Sequence, residues 1–168
     1  MALRVVQWTT GNVGQRSVRG VLAHPDLELV GCYAWSPDKV GRDVGELCGI
    51  DPLGITATDD VDALLALGPD CVLYNPMWHD TDEVVRILEA GVNVASTAAF
   101  INGRGRGGEL TRIEEACRVG SSSMFGSGIS PGFVEQIGIA TAGICDRVDK
   151  ITIDEGSDIF FYDSPATE

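Results

Sequence analysis

The fold of this chain is indicated most strongly by the opening stretch Leu3-Arg4-Val5-Val6-Gln7-Trp8-Thr9-Thr10-Gly11-Asn12-Val13-Gly14. An apolar run leads into a glycine-punctuated turn, and a helical pattern follows at once. A strand, a glycine-rich turn and a helix in this order are typical of the start of a dinucleotide-binding βαβ unit. In the G-x-G-x-x-G register the first position is Thr9, so the motif here is T-x-G-x-x-G.

The two glycines have separate expected roles. Gly11 lacks a Cβ, so the backbone can come close to a pyrophosphate. Gly14 lets the helix pack tightly on the strand, while the free N–H groups and the dipole of the helix start favour an anion. We therefore predict that the cofactor-binding residues here are Thr9, Thr10, Gly11, Asn12, Val13 and Gly14.

Composition limits the kind of protein. The chain has 168 residues, of which 44% are hydrophobic and 22% charged, and this predicts one globular domain with a packed core. Neither a signal-type apolar region nor a run of eighteen apolar residues is present, so we expect no secretion and no membrane span. A net charge of −13 argues against partners such as nucleic acid or an anionic membrane surface.

The cysteines and histidines indicate the compartment and the absence of a metal. The five cysteines are odd in number, widely spaced and never in C-x-x-C form, which favours reduced thiols in a cytoplasmic protein. The only histidines, His24 and His79, are isolated, so the sequence predicts no metal site.

Strand and helix patterns alternate along the chain. We predict strands at 4–8, 27–34, 55–58, 70–74, 92–97 and 123–126, with helices at 13–23, 60–67, 84–90, 109–118 and 133–145. This order predicts an α/β fold, a Rossmann-type doubly wound parallel sheet, over residues 1–132. Residues 150–155 alternate like a half-buried antiparallel strand, so 133–168 is expected to be a linking helix and the first strand of an incomplete α+β substrate or dimerisation domain.

The end of the second strand bears on the choice of cofactor. An NAD site usually places an acid there to bind the ribose hydroxyls, whereas Ser36 takes that place here, with Lys39 and Arg42 close by. This favours NADP. In the alternative, NAD is the cofactor, Asp38 binds the ribose, and the two cations are ordinary solvated charges.

Two segments in the last third are further candidates. The turn at 126–132 contains three glycines and Pro131, which suits either a ligand-binding turn or a sharp strand-to-helix junction. The acids at positions 154, 155 and 158 form an exposed face or, alternatively, supply a proton donor or an ammonium-binding carboxylate.

With these segments in place, the chain resembles the NAD(P)-dependent amine dehydrogenases that include 2,4-diaminopentanoate dehydrogenase, within a broader group related to dihydrodipicolinate reductase. The stretches that carry the resemblance are residues 6–14, residues 39–46 (Lys-Val-Gly-Arg-Asp-Val-Gly-Glu) and residues 126–133 (Gly-Ser-Gly-Ile-Ser-Pro-Gly-Phe). The resemblance implies a Rossmann domain followed by a substrate domain, in a homodimer whose subunits are about twice as long as this chain.

The implied chemistry is reversible reductive amination of a ketone or aldehyde, by hydride transfer from a nicotinamide to an iminium carbon. The partner would thus be a small-molecule amine or carbonyl substrate. The resemblance places Ser36 and Lys39 at the adenosine ribose and Asn75 and Pro76 on the nicotinamide side. Thr97 is a further expected cofactor-binding residue. Ser130 and Pro131 would close the nicotinamide and substrate pocket.

One departure from the family concerns the acid that is thought to activate ammonia. Known members carry a glutamate just after the strand that reads Val-Ala-Ser-Thr-Ala-Ala-Phe here, at 94–100, and this segment contains no acid. Glu155 and Asp158 are therefore the candidate catalytic residues. Alternatives are a reductase of the dihydrodipicolinate reductase or homoserine dehydrogenase kind, and a nucleotide-binding module without catalysis.

Overall fold

The computed structural model describes residues 1–98, 107–154 and 156. Two compact units divide the chain between Gly128 and Ile129, slightly before the boundary after residue 132 that the sequence suggested. The first unit contains the strands β1 (Leu3–Trp8), β2 (Leu27–Tyr33), β3 (Ala57–Thr58), β4 (Cys71–Tyr74), β5 (Asn93–Ser96) and β6 (Met124–Gly126). Its helices are α1 (Asn12–Ala23), α2 (Val44–Leu47), α3 (Val61–Ala66), α4 (Thr81–Glu89) and α5 (Gly107–Gly120).

All six strands form one parallel sheet in the order β3-β2-β1-β4-β5-β6. The chain first builds outward from β1 to β3 and then returns to the other side of β1, where β4 pairs with it. This is the strand order of the doubly wound Rossmann fold, with the switch point between β1 and β4. The predicted parallel α/β fold is confirmed. Each of the six strands predicted for this sheet is present, β1 one residue longer than predicted and the other five shorter.

The core lies on both faces of this sheet because β1 is buried on both sides. Val5 packs with Val18 and Val21 of α1, whereas Val6 and Trp8 belong to a second cluster that includes residues of α3, α4 and α5. Alternate residues of a strand point to opposite faces, which is why neighbouring side chains enter different clusters. Gln7 therefore shares the α1 face with Val5, although it is polar and fully buried.

Aspartates begin three of the helices. The carboxylates of Asp43, Asp60 and Asp80 accept hydrogen bonds from backbone N–H groups in the first turns of α2, α3 and α4. Asp43 also accepts from Leu53 N and Gly54 N, at 2.9 and 2.7 Å, and these bonds hold the pKa of its carboxyl below the ordinary value. The 39–46 motif thus has a structural purpose, since Asp43 ties the loop after α2 back to its start.

The start of α4 holds only half of a capping box, the motif in which the N-cap side chain and a glutamate three residues later each accept a hydrogen bond from the other's backbone N–H. Asp80 caps the helix, but the reciprocal acceptor is not Glu83, because the backbone N–H of Asp80 donates to the Tyr74 hydroxyl at 3.1 Å. Glu83 instead accepts from Tyr74 Oη at 2.8 Å and from Trp8 Nε1 at 3.3 Å. The acid is thereby used to hold the end of β4 and the side chain of Trp8.

The second unit begins with a π-helical turn at Ile129–Phe133, which leads directly into α6 (Val134–Ala142). The strand expected at 150–155 is not formed in the part of it that the structure describes, because residues 150–154 have no regular secondary structure. Ile151 and Ile153 lie beside Gly138 of α6. The alternating isoleucines therefore pack along a helix and do not form one face of a ladder.

Candidate functional site

The turn between β1 and α1 is the centre of the candidate site. Gly11 is the N-cap residue of helix α1, and no side chain of the described residues caps the helix. A Cβ placed on Gly11 would have no heavy atom within 4 Å, so open space lies beside the first turn. The first N–H groups of a helix lack intrahelical acceptors, and with the dipole they favour an anion. Gly11 therefore leaves the start of α1 accessible to a ligand.

Gly14 has the opposite environment. A Cβ at this position would lie 2.2 Å from the carbonyl oxygen of Thr9 and 3.0 Å from Gln7 Nε2. Side-chain carbons do not approach backbone oxygens this closely, so helix and turn can pack in this way only around glycine. These surroundings agree with the two predicted roles: Gly11 leaves the start of α1 accessible, and Gly14 lets the helix pack closely on the turn.

Thr9 explains the departure from the glycine motif. Its φ is 72°, in the left-handed region that a β-branched residue rarely adopts. Three hydrogen bonds hold it there: Thr9 N donates to Tyr33 O at 3.0 Å, Thr9 Oγ1 donates to Asn75 O at 3.1 Å, and Thr9 O accepts from Gln7 Nε2 at 2.9 Å. Threonine thus takes the backbone conformation that glycine would take, and its hydroxyl ties β1 to the end of β4.

Two buried polar atoms at this turn have no partner among the described residues. Thr10 is 2% exposed and its Oγ1 accepts and donates no hydrogen bond there, and the same holds for Oε1 of the fully buried Gln7. Leaving a buried polar group unpaired costs about 1–3 kcal/mol. An unpartnered hydroxyl inside the turn that begins α1 is the feature expected where a ligand or a bound water completes the structure.

A chain of side chains connects three neighbouring strand ends. Gln7 Nε2 donates to Asn75 Oδ1 at 3.0 Å, and Asn75 Nδ2 donates to Thr97 Oγ1 at 2.9 Å. Asn75 follows β4 and Thr97 follows β5, so the sheet brings together two of the expected cofactor-binding residues. Pro76 comes next and is half-buried. The sequence analysis did not identify Gln7, since its side chain is recognised only by its contacts.

The segment after β2 forms a helical turn. The backbone N–H groups of Lys39 and Val40 both donate to Ser36 O, and the Ser36 hydroxyl donates to the Asp38 carboxylate. This hydroxyl holds the pKa of Asp38 below its ordinary value, with smaller contributions from Lys39 and Arg42. A carboxylate and two cations therefore stand together at the carboxyl end of β2.

The tryptophans divide into one core residue and two surface residues. Trp8 is buried and stacks on Tyr33 with ring centroids 4.2 Å apart, whereas Trp35 and Trp78 are 71% and 73% exposed. Trp8 is therefore the core tryptophan, whereas Trp35 and Trp78 expose most of their surface. Both exposed rings follow strands that flank β1. They lie at the carboxyl ends of the strands, where ligands bind in this fold.

Four further candidates belong to the second unit or lie outside the described residues. Ser130 and Pro131 lie in the π-helical turn of the second unit. Glu155 and Asp158 lie outside the described residues. The roles of these four residues stay predictions.

Metal binding and membrane insertion find no structural basis in the described ranges. No group of three or more His, Cys, Asp or Glu residues there is arranged to hold a metal ion. In the same ranges, every helix is too short or too polar to traverse a bilayer.

The sheet order, the switch point and the glycine-led α1 define the described first unit as a Rossmann-type α/β domain. Comparison with known proteins gives the particular relatives. An amine dehydrogenase of Streptomyces virginiae is 34% identical over 97% of this chain and 48% of its own length. A 4-hydroxy-tetrahydrodipicolinate reductase of Synechococcus elongatus is 28% identical over 89% of the chain and 56% of its own.

Among solved structures, the amine dehydrogenase of Mycobacterium smegmatis superposes with a TM-score of 0.75 and 25% identity, covering 89% of this chain and 46% of that one. No family model matches the chain. The resemblance to amine dehydrogenases that the motifs indicated is thus confirmed, and the chain spans about half the length of the relatives it matches.

Proposed function

We propose that this chain binds a nicotinamide dinucleotide at the turn from Thr9 to Gly14 and belongs to an oxidoreductase that interconverts amines with ketones or aldehydes. The observation that supports binding most directly is the uncapped start of α1, with open space at Gly11 and the unpartnered hydroxyl of Thr10 beside it. The similarity to the Streptomyces amine dehydrogenase supports the reaction class. A bound nicotinamide would supply or accept the hydride.

Each part of the site would contribute differently. The first N–H groups of α1 would bind the pyrophosphate, which matters because the chain carries a net charge of −13 and offers no general attraction to an anion. The end of β2 would hold the adenosine ribose, and Asn75 and Thr97 would face the nicotinamide half. Glu155 and Asp158 remain the proposed carboxylates for ammonia binding. The whole enzyme is proposed to be a homodimer that works in the cytoplasm.

Gly11→Ala tests the proposed site. The methyl group is expected to enter the open space at the start of α1 and to weaken dinucleotide binding about tenfold, equivalent to about 1.4 kcal/mol. Folding is expected to change by less than about 1 kcal/mol, the cost of alanine at a helix start. Nicotinamide fluorescence during titration with NADPH and NADH measures the dinucleotide affinity, and thermal unfolding measures the stability.

Gly20→Ala is the matched control because Gly20 lies in the same helix and a Cβ there also meets nothing within 4 Å. It should bind dinucleotide as the unaltered protein does. Unchanged binding in Gly11→Ala, or no binding of either cofactor by the unaltered protein, would contradict the proposed site.

The choice of NADP over NAD is part of the proposal and rests on Ser36, Lys39 and Arg42. The Asp38 carboxylate repels a ribose phosphate, so Asp38→Asn is expected to strengthen NADPH binding about fivefold. Lys39→Gln should weaken NADPH binding by a similar factor and leave NADH binding unchanged.

The sign of the Asp38→Asn effect separates the two cofactors. If Asp38 accepts hydrogen bonds from the ribose hydroxyls of NAD, this substitution weakens NADH binding and gives NADPH no advantage. Parallel titrations of both variants with both cofactors give the answer without knowledge of the substrate.

A second candidate reaction is the reduction of a cyclic, carboxylated substrate. The similarity to the Synechococcus 4-hydroxy-tetrahydrodipicolinate reductase over 89% of the chain favours it. It shares the cofactor site with the first candidate. Assays of the protein for amine-dependent NADP reduction and for reduction of that substrate distinguish the two.

A further inference from the structure

The buried side chain of Gln7 has a defined orientation. Its Nε2 lies 3.0 Å from Trp8 O and 2.9 Å from Thr9 O. Backbone carbonyls only accept hydrogen bonds, so the atom that faces them must be the amide nitrogen and not the oxygen. The same nitrogen lies 3.0 Å from the side chain of Asn75, which must therefore present its own oxygen.

This orientation is passed on to Thr97. Because Asn75 directs Oδ1 toward Gln7, its Nδ2 points to Thr97 Oγ1 and donates to it at 2.9 Å. The hydroxyl oxygen of Thr97 is thus used as an acceptor, and its own hydrogen must point elsewhere. Within the described residues this hydroxyl has no acceptor, and Thr97 is exposed.

Thr97 therefore offers one hydrogen-bond donor, directed away from Asn75, at the carboxyl end of β5. Two strands separate β5 from β2 in the sheet order, with β1 and β4 between them. A dinucleotide whose pyrophosphate lies at the start of α1 extends its adenosine toward β2 and its other half toward β4 and β5. The donor stands on the nicotinamide side, where the acceptor that a nicotinamide ring presents is its carboxamide oxygen.

We propose that the Thr97 hydroxyl donates a hydrogen bond to the carboxamide oxygen of the bound nicotinamide, and that Gln7 fixes the direction of this donor through Asn75. The inference rests on the proposed function and deepens it. Thr97 is the residue that touches the cofactor, whereas Gln7 and Asn75 are positioning residues. All three lie in the first unit.

Thr97→Val removes the donor and keeps the shape of the side chain. We expect NADPH and NADH to bind about five- to tenfold more weakly, as for the loss of one hydrogen bond of about 1 kcal/mol. ADP-ribose and 2′-phospho-ADP-ribose, which lack the nicotinamide, should bind as they do to the unaltered protein. Thr97→Ser keeps the hydroxyl and should restore dinucleotide binding.

Asn75→Asp tests the direction of the donor. A carboxylate at this position still accepts from Gln7 but cannot donate to Thr97, so the Thr97 hydroxyl turns toward it and no longer reaches the ligand. The variant should lose dinucleotide affinity as Thr97→Val does. Combined with Thr97→Val, it should cause little further loss that is specific to the nicotinamide ligands. The added charge acts on the ADP-ribose ligands as well, and their binding measures that contribution separately.

If Thr97→Val binds NADPH and NADH as tightly as the unaltered protein does, this inference is overturned while the dinucleotide site stays in place. An equal loss for dinucleotides and ADP-ribose ligands in Thr97→Val would overturn it too, because the effect would then not involve the nicotinamide. If none of the four ligands binds the unaltered protein, the proposed function fails and this inference with it. Thermal unfolding of each variant checks that the fold is kept.

Discussion

Gly14→Ala is expected to lower the free energy of unfolding by about 3 kcal/mol, at the upper end of overpacking effects. The added methyl carbon would lie 2.2 Å from Thr9 O, a backbone atom that the sheet and the Gln7 side chain hold in place. Helix α1 must therefore move away from β1. For a chain of this length the loss corresponds to a fall of roughly 10 °C in Tm, and dinucleotide binding should fall with it because the turn is displaced.

Gly20→Ala again supplies the control. It lies in the same helix in open surroundings and should raise the free energy of unfolding by up to about 1 kcal/mol, since alanine favours helix more than glycine does. Thermal and denaturant unfolding of both variants measure the contrast. Equal stability of the two would mean that the turn at Thr9 yields to a side chain at position 14.

Alkaline conditions are expected to destabilise the fold steeply, and Cys32 is the main reason. Burial, with the nearby Cys48 thiol, raises the pKa of Cys32 from 9.0 to about 12. Between these values the unfolded chain has lost a proton that the folded chain still holds, so the free energy of unfolding falls as pH rises. The stability is fully present below about pH 9 and declines by about 1.4 kcal/mol per pH unit, or about 4 kcal/mol by pH 12.

Other buried groups act in the same direction. Burial also raises the pKa of Tyr74, and the Glu83 carboxylate adds to that shift. Urea unfolding from pH 7.5 to 10.5 measures the slope with which the free energy of unfolding falls as pH rises. Cys32→Ala should reduce it, at the cost of a lower stability at neutral pH, because alanine has no thiol proton to lose. A slope that Cys32→Ala does not alter would contradict the assignment.

The fold could be predicted because its signals are local. Apolar runs, helix-capping aspartates and glycine turns follow one another at short spacing, and each acts within a few residues. Asp60 caps a helix at the predicted position, and Gly11 and Gly14 have the surroundings that the motif implies. A parallel sheet follows from alternation alone.

The rest depends on contacts between distant residues. The bond from Gln7 to Asn75 joins residues 68 positions apart, and nothing in the local pattern distinguishes Gln7 from an ordinary strand residue. Glu83 looks like the second half of a capping box, yet Tyr74 and Trp8 bind its carboxylate. The alternating pattern at 150–155 fits a strand, and it fits equally well an extended segment that packs on a helix. The described part of this segment packs on a helix.

The central place of β1 also sets the order in which the site comes into existence during folding. β1 pairs with β2, one helix away in the sequence, and with β4, which lies two helices further on. Closing the longer segment costs more chain entropy, so the pairing with β2 has the kinetic advantage. The link from Gln7 to Asn75 exists only after β4 has docked. A ligand that needs both halves therefore binds the completed sheet alone, and its presence stabilises the native state.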